Sequence, residues 1–117
     1  MRLFHDVPEV YLHKAPVDFR KSINGLVSLV EHAMAKSPFS GALYVFSNHR
    51  ADKLKVVYWD QTGFCLWYKR LEKQRFAWPK TMDGDVLSLN EEQFHWLLRG
   101  LDISRMRAHS ALSFQFT

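Results

Sequence analysis

The stretch from Gly41 to Pro79 reads GALYVFSNHRADKLKVVYWDQTGFCLWYKRLEKQRFAWP, and its pattern decides the fold. Short runs rich in β-branched and aromatic residues alternate with polar loops, which is typical of strands joined by hairpin turns. We predict an antiparallel meander of three strands, followed by a short edge strand that ends at Pro79. The predicted strands are Ala42–Ser47, Leu54–Trp59, Phe64–Leu71 and Phe76–Trp78.

Two amphipathic segments flank this meander. Apolar residues recur at offsets of three or four after Asp18, a candidate N-cap, and a capping-box pattern at Asn90 and Gln93 opens a second segment. The sequence therefore predicts an α+β fold, a mostly antiparallel β meander of four to five strands with two main helices packed on one face. The predicted helices are Phe19–Lys36 and Asn90–Arg99, and further strand-like runs are Val10–Leu12 and Val86–Leu89.

The composition is that of a folded domain. The chain has 117 residues, of which 47% are apolar and 24% charged, so we expect one domain over residues 1–117. Residues 104–117 are weakly periodic and predict either a mobile tail or a final strand through Leu112, Phe114 and Phe116. The lone Cys65 can form no intramolecular disulfide, and no signal peptide or membrane span is visible, so we expect a cytoplasmic protein without a membrane partner.

The Gly41–Pro79 stretch also holds the strongest functional signal. It carries nine of the seventeen aromatic residues, and its seven basic and three acidic residues give a local net charge of +4, equal to that of the whole chain. Cations that neutralise phosphates and rings that stack on bases suit a nucleic-acid surface. The candidate DNA contacts are Arg20, Lys21, Arg50, Lys53, Lys55, Lys69, Arg70, Lys73 and Arg75. The candidate interface or stacking residues are Trp59, Trp67, Tyr68 and Trp78.

The meander predicts how some of these cations are grouped. The loop after Asn48 and the turn at Glu72 should emerge at the same edge of the sheet, which would place Arg50, Lys53, Lys73 and Arg75 in one patch. The alternative is that the lysines are solvated edge residues and the tryptophans form the core. For Arg20 and Lys21 at the first helix start, pairing of Arg20 with Asp18 is favoured over phosphate binding.

No motif for catalysis is present. The chain lacks a glycine-rich phosphate loop, a GxSxG elbow and a paired-histidine metal motif, and its histidines are scattered. We therefore predict a protein that is not an enzyme and has no metal site and no cofactor. A nuclease that uses Asp18 and Asp60 is the alternative.

Three blocks of the sequence resemble a known bacterial family. They are similar to the accessory protein of insertion sequences of the sixty-six type, which is called TnpB or the second open reading frame. The blocks are YLHKAPVDFRKSINGL, the run from Pro38 to Pro79, and LSLNEEQFHWLLRGLD. The resemblance covers about residues 8–103. The residues that match the shared blocks are Asp18, Arg20, Gly25, Gly41, Tyr58, Trp59, Asp60, Gly63, Trp67, Tyr68, Lys69 and Arg70.

The resemblance implies a protein required for DNA transposition that is encoded beside a separate DDE-type transposase and has no established catalytic activity. Its implied partners are DNA, the cognate transposase and other transposon-encoded proteins. Many family members have a more basic loop where this chain has Asn48–Asp52, so the turn Lys69–Arg75 is the stronger candidate contact.

Two functional hypotheses follow. In the first, the basic aromatic sheet region binds DNA together with the transposase. In the second, the aromatic sheet face is a protein-interaction module that docks on the transposase or on a second copy, as a homodimer, without direct DNA binding.

Overall fold

The computed structural model describes residues 9–105 and has the predicted α+β architecture. Along the chain, one strand and the first helix are followed by four strands and the second helix, and a short 3-10 helix, Ile103–Arg105, comes last. The strands are β1 (Val10–His13), β2 (Leu43–Ser47), β3 (Lys53–Asp60), β4 (Gly63–Arg70) and β5 (Val86–Leu89), and the helices are α1 (Ile23–His32) and α2 (Glu91–Leu98). Apart from Ser104 and Arg105, the predicted tail or final strand lies outside the described residues.

The five strands form one sheet in the order β4-β3-β2-β1-β5. The predicted meander of β2, β3 and β4 is confirmed, with Val45 opposite Val56 and Val56 opposite Trp67. β1 is inserted parallel to β2 and antiparallel to β5, so its two neighbours come from later parts of the chain. The sheet is therefore mostly antiparallel, and β4 and β5 are its edges within residues 9–105.

The two helices lie on opposite faces of the sheet, so the prediction that both pack on one face is wrong. Leu26 and Val30 of α1 pack with Tyr44, Phe46 and Val57 on one face. Phe94 and Leu97 of α2 belong to a second cluster on the other face, together with alternate residues of the strands. The strand residues in that second cluster are Val10, Leu12, Leu43, Val45, Leu54, Val56, Leu87 and Leu89.

The physical reason lies in the central strands. All five residues of β2 are buried, so neither of its faces meets water. A strand that is apolar on both sides needs an apolar layer over each face. One helix covers each side, and the sheet becomes the middle layer of three.

The first helix is shorter than predicted. α1 begins at Ile23 after Ser22, which makes no side-chain cap, and it ends at His32. Asp18 is therefore not its N-cap; the Asp18 carbonyl instead accepts the Lys21 N–H in a turn before the helix. The predicted capping box of α2 is confirmed, because Asn90 Oδ1 accepts the Gln93 N–H at 2.7 Å and Gln93 Oε1 accepts the Asn90 N–H at 3.0 Å.

The predicted edge strand Phe76–Trp78 is absent, and this segment is irregular. Phe76 and Trp78 are 3% and 8% exposed and fill the cluster on the α2 face. The Trp78 indole N–H donates to the Lys14 carbonyl at 2.7 Å. Trp78 is thus a core residue, and the prediction that its ring is an interface or stacking residue is wrong because the ring is buried.

Candidate nucleic-acid interface

The loop between β2 and β3 is closed by hydrogen bonds of one asparagine. Asn48 Nδ2 donates to Asp52 Oδ1 at 2.6 Å, and Asn48 Oδ1 accepts the Lys53 N–H at 3.0 Å. The Asn48 carbonyl also accepts the Ala51 N–H, which fixes the turn around Ala51 at φ 58°. These bonds leave the side chains of His49 and Arg50 exposed at the tip of the loop.

The segment that follows β4 docks against this loop. The Leu71 N–H donates to the Asp52 carbonyl at 2.8 Å, and the Phe76 N–H donates to the Ala51 carbonyl at 2.6 Å. With Phe76 anchored in the core, the exposed Arg75 is held beside the loop. The prediction that the two segments emerge at the same end of the sheet agrees with these backbone bonds.

Two clefts open at this end and share His49 and Arg50. One is lined by these two residues with Arg75 and Lys80, over a floor formed by Ala51, Phe76 and Trp78. The other is lined by His49 and Arg50 with Arg20 and Lys53, against the segment Val17–Phe19 and Asn48. Arg50 therefore stands between the clefts. We call the cations Arg20, Arg50, Lys53, Arg75 and Lys80, with His49, the basic end of the sheet.

The two carboxylates near the basic end are already engaged. Asp18 and Arg20 form an ion pair with Arg20 Nη2 at 2.6 Å from Asp18 Oδ2, and the hydrogen bonds from Arg20 lower the pKa of the Asp18 carboxyl to about 2. The hydrogen bond from Asn48 likewise lowers the pKa of the Asp52 carboxyl. The favoured pairing of Arg20 with Asp18 is thus present in the structure. By contrast, the side chains of Arg50, Lys53, Arg75 and Lys80 make no ion pair with any residue in the range 9–105.

Lys55 is built into the fold. Its Nζ donates to the carbonyls of Phe19 and Lys21 at 3.0 and 2.9 Å and lies 4.8 Å from the centre of the Phe19 ring. Burial lowers the pKa of this ammonium below its ordinary value. Lys55 ties the segment before α1 to β3, so its charge is directed at backbone carbonyls of the chain itself.

The turn Lys69–Arg75, which the sequence favoured, contributes little of its charge to the clefts. Lys69 Nζ donates to the Leu98 carbonyl at 2.8 Å on the α2 face, and Arg70 pairs with Glu72 at 2.9 Å. Lys73 and Lys21 are exposed and line neither cleft. Of that turn, Arg75 alone lines one of these two clefts, and the place of Lys73 in a patch with Arg50, Lys53 and Arg75 stays a prediction.

The remaining candidate rings are spread over both faces of the sheet. Tyr68 is 50% exposed and makes an edge contact with Phe19, 6.4 Å between ring centres. Trp67 is half-buried against the α2-face cluster. Trp59 lies at the far end of β3 from the basic end, in a group with Phe39 and Phe64 whose ring centres are 5.0–5.3 Å apart. We call these three residues the aromatic cluster.

The alternative of a two-carboxylate nuclease does not fit the geometry. Asp18 lines the cleft beside Lys53, the first residue of β3, whereas Asp60 is the last residue of that strand. Seven steps of about 3.3 Å separate the two ends, so the carboxylates lie roughly 20 Å apart. Within residues 9–105 no three His, Cys, Asp or Glu side chains come close enough to hold a metal ion.

Two members of the basic end were missing from the sequence prediction. Lys80 follows Pro79 and reaches the first cleft because Phe76 and Trp78 anchor the preceding segment. His49 occurs in the loop beside Arg50 and lines both clefts. The aromatic residues Phe76 and Trp78 predict an edge strand from sequence, whereas in the structure they anchor this segment in the core and so bring Lys80 to the cleft.

The comparison with known proteins identifies the class of protein to which this sheet and its basic end belong. The sequence model of the family described as "IS66 Orf2 like protein" matches residues 8–108. The chain belongs to this family.

Similar sequences are found in Sinorhizobium fredii. One, named "Uncharacterized protein y4jC", is 42% identical over 92 residues, which cover 79% of this chain and 78% of that protein. Another, named "Uncharacterized protein y4hO", is 32% identical over 93 residues, covering 80% of each chain. No solved structure matches significantly. In the described part of the chain, neither helix has the length and apolar character needed to cross a bilayer.

Proposed function

We propose that this protein is a non-catalytic accessory factor of insertion-sequence transposition that binds DNA through the basic end of its sheet and acts together with a separate transposase. The observation that supports DNA binding most strongly is the position of Arg50 between two clefts, each of which adds further cations. Family membership supports the link to transposition.

The chemistry of the basic end suits a phosphate backbone. Arg50, Arg75 and Lys80 are exposed around one cleft, and Lys53 and the Asp18-paired Arg20 extend the charge into the next. Guanidinium groups bind phosphate oxygens bidentately, and a row of cations releases counterions when it neutralises successive phosphates. Phe76 and Trp78 in the floor of the first cleft are buried, so the groups that this cleft exposes to a ligand are mainly its charged side chains. This favours contact with the backbone over readout of bases.

The test is the salt dependence of DNA binding by the full chain, measured by fluorescence anisotropy with labelled duplex and single-stranded DNA. The affinity is expected to fall steeply as salt rises. Each phosphate contact contributes a slope of about 0.7–0.9 in a plot of log affinity against log salt. The double variant Arg50→Ala/Arg75→Ala should therefore bind more weakly at low salt and lose a slope of roughly 1.5.

The matched control is Arg99→Ala combined with Lys73→Ala, which removes the same charge from exposed residues that line neither cleft. This control should keep most of the slope. Equal losses for both double variants would show that net charge, and not the basic end, governs binding. Absence of salt-sensitive binding, with the chain alone and with its transposase, would refute the proposal.

A second candidate function, a protein-interaction module, is favoured by the aromatic cluster. Phe39 is 58% exposed although it packs against Trp59 and Phe64, and large exposed rings are frequent at protein interfaces. The cluster lies at the opposite end of β3 from the basic end, so the two functions can be separated by mutation.

The discriminating experiment is a pull-down with the cognate transposase in the absence of DNA. Under the interaction hypothesis, Phe39→Ser and Trp59→Ser reduce capture of the transposase, whereas Arg50→Ala/Arg75→Ala leaves it intact. Tyr68→Ser and Trp67→Ser test the rest of the predicted aromatic face. Loss of capture only with the arginine variants would contradict the interaction hypothesis.

A further inference from the structure

In the part of the chain that the structure describes, the outer edge of β4 is the long open edge of the sheet. β4 spans eight residues and pairs with β3 in a continuous register from Lys53–Arg70 to Asp60–Gly63, without a bulge. Among residues 9–105 no strand pairs with its other side. The strand contains no proline, and its only charged residues are Lys69 and Arg70 at one end.

The opposite edge is protected in ways that β4 is not. β5 has only four residues, and Asp83 and Asp85 precede it directly. Short length and charge are the usual devices that keep an edge strand from pairing with another chain. An eight-residue strand with six uncharged residues in a row lacks both along most of its length, and its unpaired N–H and C=O groups form a template for a further strand.

We propose that β4 pairs antiparallel with β4 of a second copy of this chain, so that the two sheets join into one. The charge distribution along the strand favours a second copy in this orientation. A parallel pairing would place Lys69 and Arg70 beside their own equivalents, which is repulsive. The antiparallel pairing places them beside the uncharged Gly63 end, and the exposed Asp60 lies next to Gly63 in the same sheet.

The apolar residues fix a register. With Leu66 on the two-fold axis, Phe64 lies opposite Tyr68 of the second copy on the α1 face, and Cys65 lies opposite Trp67 on the other. Cross-strand pairs of aromatic residues stabilise a sheet. The register also covers Tyr68, which is otherwise half-exposed. Lys69 then faces Gly63 of the second copy, with Asp60 directly beyond that glycine.

The first test is sedimentation velocity of the full chain over a wide range of concentration. The proposal predicts a doubling of mass that Tyr68→Asp abolishes, because the introduced carboxylate lies against Phe64 of the second copy. Ser88→Asp is the matched control, since Ser88 is exposed on the other edge strand, and this variant should remain dimeric. Circular dichroism establishes that each variant is folded.

The lone cysteine provides a second test that needs no change in the edge. In the proposed register the two Cys65 Cα atoms lie about 8 Å apart, one strand spacing across and two residues along. A short bifunctional maleimide should therefore link two copies, and Cys65→Ser should abolish the link. A monomer at all concentrations overturns the proposal. A dimer that survives Tyr68→Asp and is lost with Ser88→Asp also overturns it. The outcome is independent of DNA binding.

Discussion

Lys55 holds the segment before α1 against the sheet, and its removal should cost stability. Lys55→Met deletes two hydrogen bonds to the carbonyls of Phe19 and Lys21. Bonds from a charged donor contribute about 1.5–3 kcal/mol. We expect the free energy of unfolding, measured by urea denaturation, to fall by about 1–3 kcal/mol. The control Lys53→Met alters a side chain that binds no residue in the described range, and it should change stability by less than about 0.5 kcal/mol.

The pair of Asp18 and Arg20 predicts a local dependence on pH. The hydrogen bonds from Arg20 hold the pKa of Asp18 at about 2, below the 3.8 of an ordinary aspartate. Because the folded-state pKa is the lower one, the stabilisation is present above pH 3.8 and is lost as pH falls through about 2. Carboxyl titration by NMR should give this midpoint, and Arg20→Ala should raise it toward 3.8. An unchanged midpoint in Arg20→Ala would assign the shift to another cause.

At the scale of elements, local turn chemistry predicted the meander and the capping box, but not the position of β1. The meander and the Asn90 box depend on residues close in sequence. The position of β1 between β2 and β5 depends on pairings of Leu12 with Val45 and Leu87, far along the chain. The sequence also does not indicate which face of the sheet each helix covers. Strands that are apolar on both sides lack the alternation of apolar and polar residues that would distinguish the two faces.

The same distinction explains how far the candidate site could be predicted. The cations themselves were visible in the sequence. Their partners were not, since Lys55 reaches a carbonyl 36 residues away and Lys69 one 29 residues away. The sequence therefore favours Lys69 over Arg50 as a contact, whereas the structure places Arg50 between two clefts and Lys69 at the end of α2.

Lys69 links β4 to the last turn of α2, and this contact predicts a change in helix dynamics. A cation that binds the Leu98 carbonyl satisfies one of the free acceptors at the helix end and complements the helix dipole. In Lys69→Met, amide hydrogen exchange should become faster around Leu97–Gly100, while the salt slope of DNA binding stays nearly unchanged. Lys73→Met is the control and should alter neither. A reduced salt slope with unchanged exchange would make Lys69 a phosphate contact.

For the molecule as a whole, the two core clusters predict nearly independent contributions to stability. Val30 lies in the α1-face cluster and Val56 in the α2-face cluster, and both are fully buried. Each substitution by alanine removes two buried methyl groups, which should cost about 2 kcal/mol. Since the sheet separates the two sites, the double variant should show the sum within about 0.5 kcal/mol in urea denaturation. A coupling above about 1 kcal/mol would show that strain passes through the sheet.

The insertion of β1 between two later strands has a consequence for synthesis on the ribosome. β1 leaves the ribosome first, but β5 follows only after the whole meander has been translated. Because translation proceeds at about 5–20 residues per second, at least one side of β1 stays unpaired for several seconds. During that time Val10 and Leu12 depend on β2 alone, and the nascent chain has an exposed apolar strand that chaperones can bind. Slow codons between β2 and β5 should therefore lengthen the aggregation-prone interval, whereas slow codons after β5 should not.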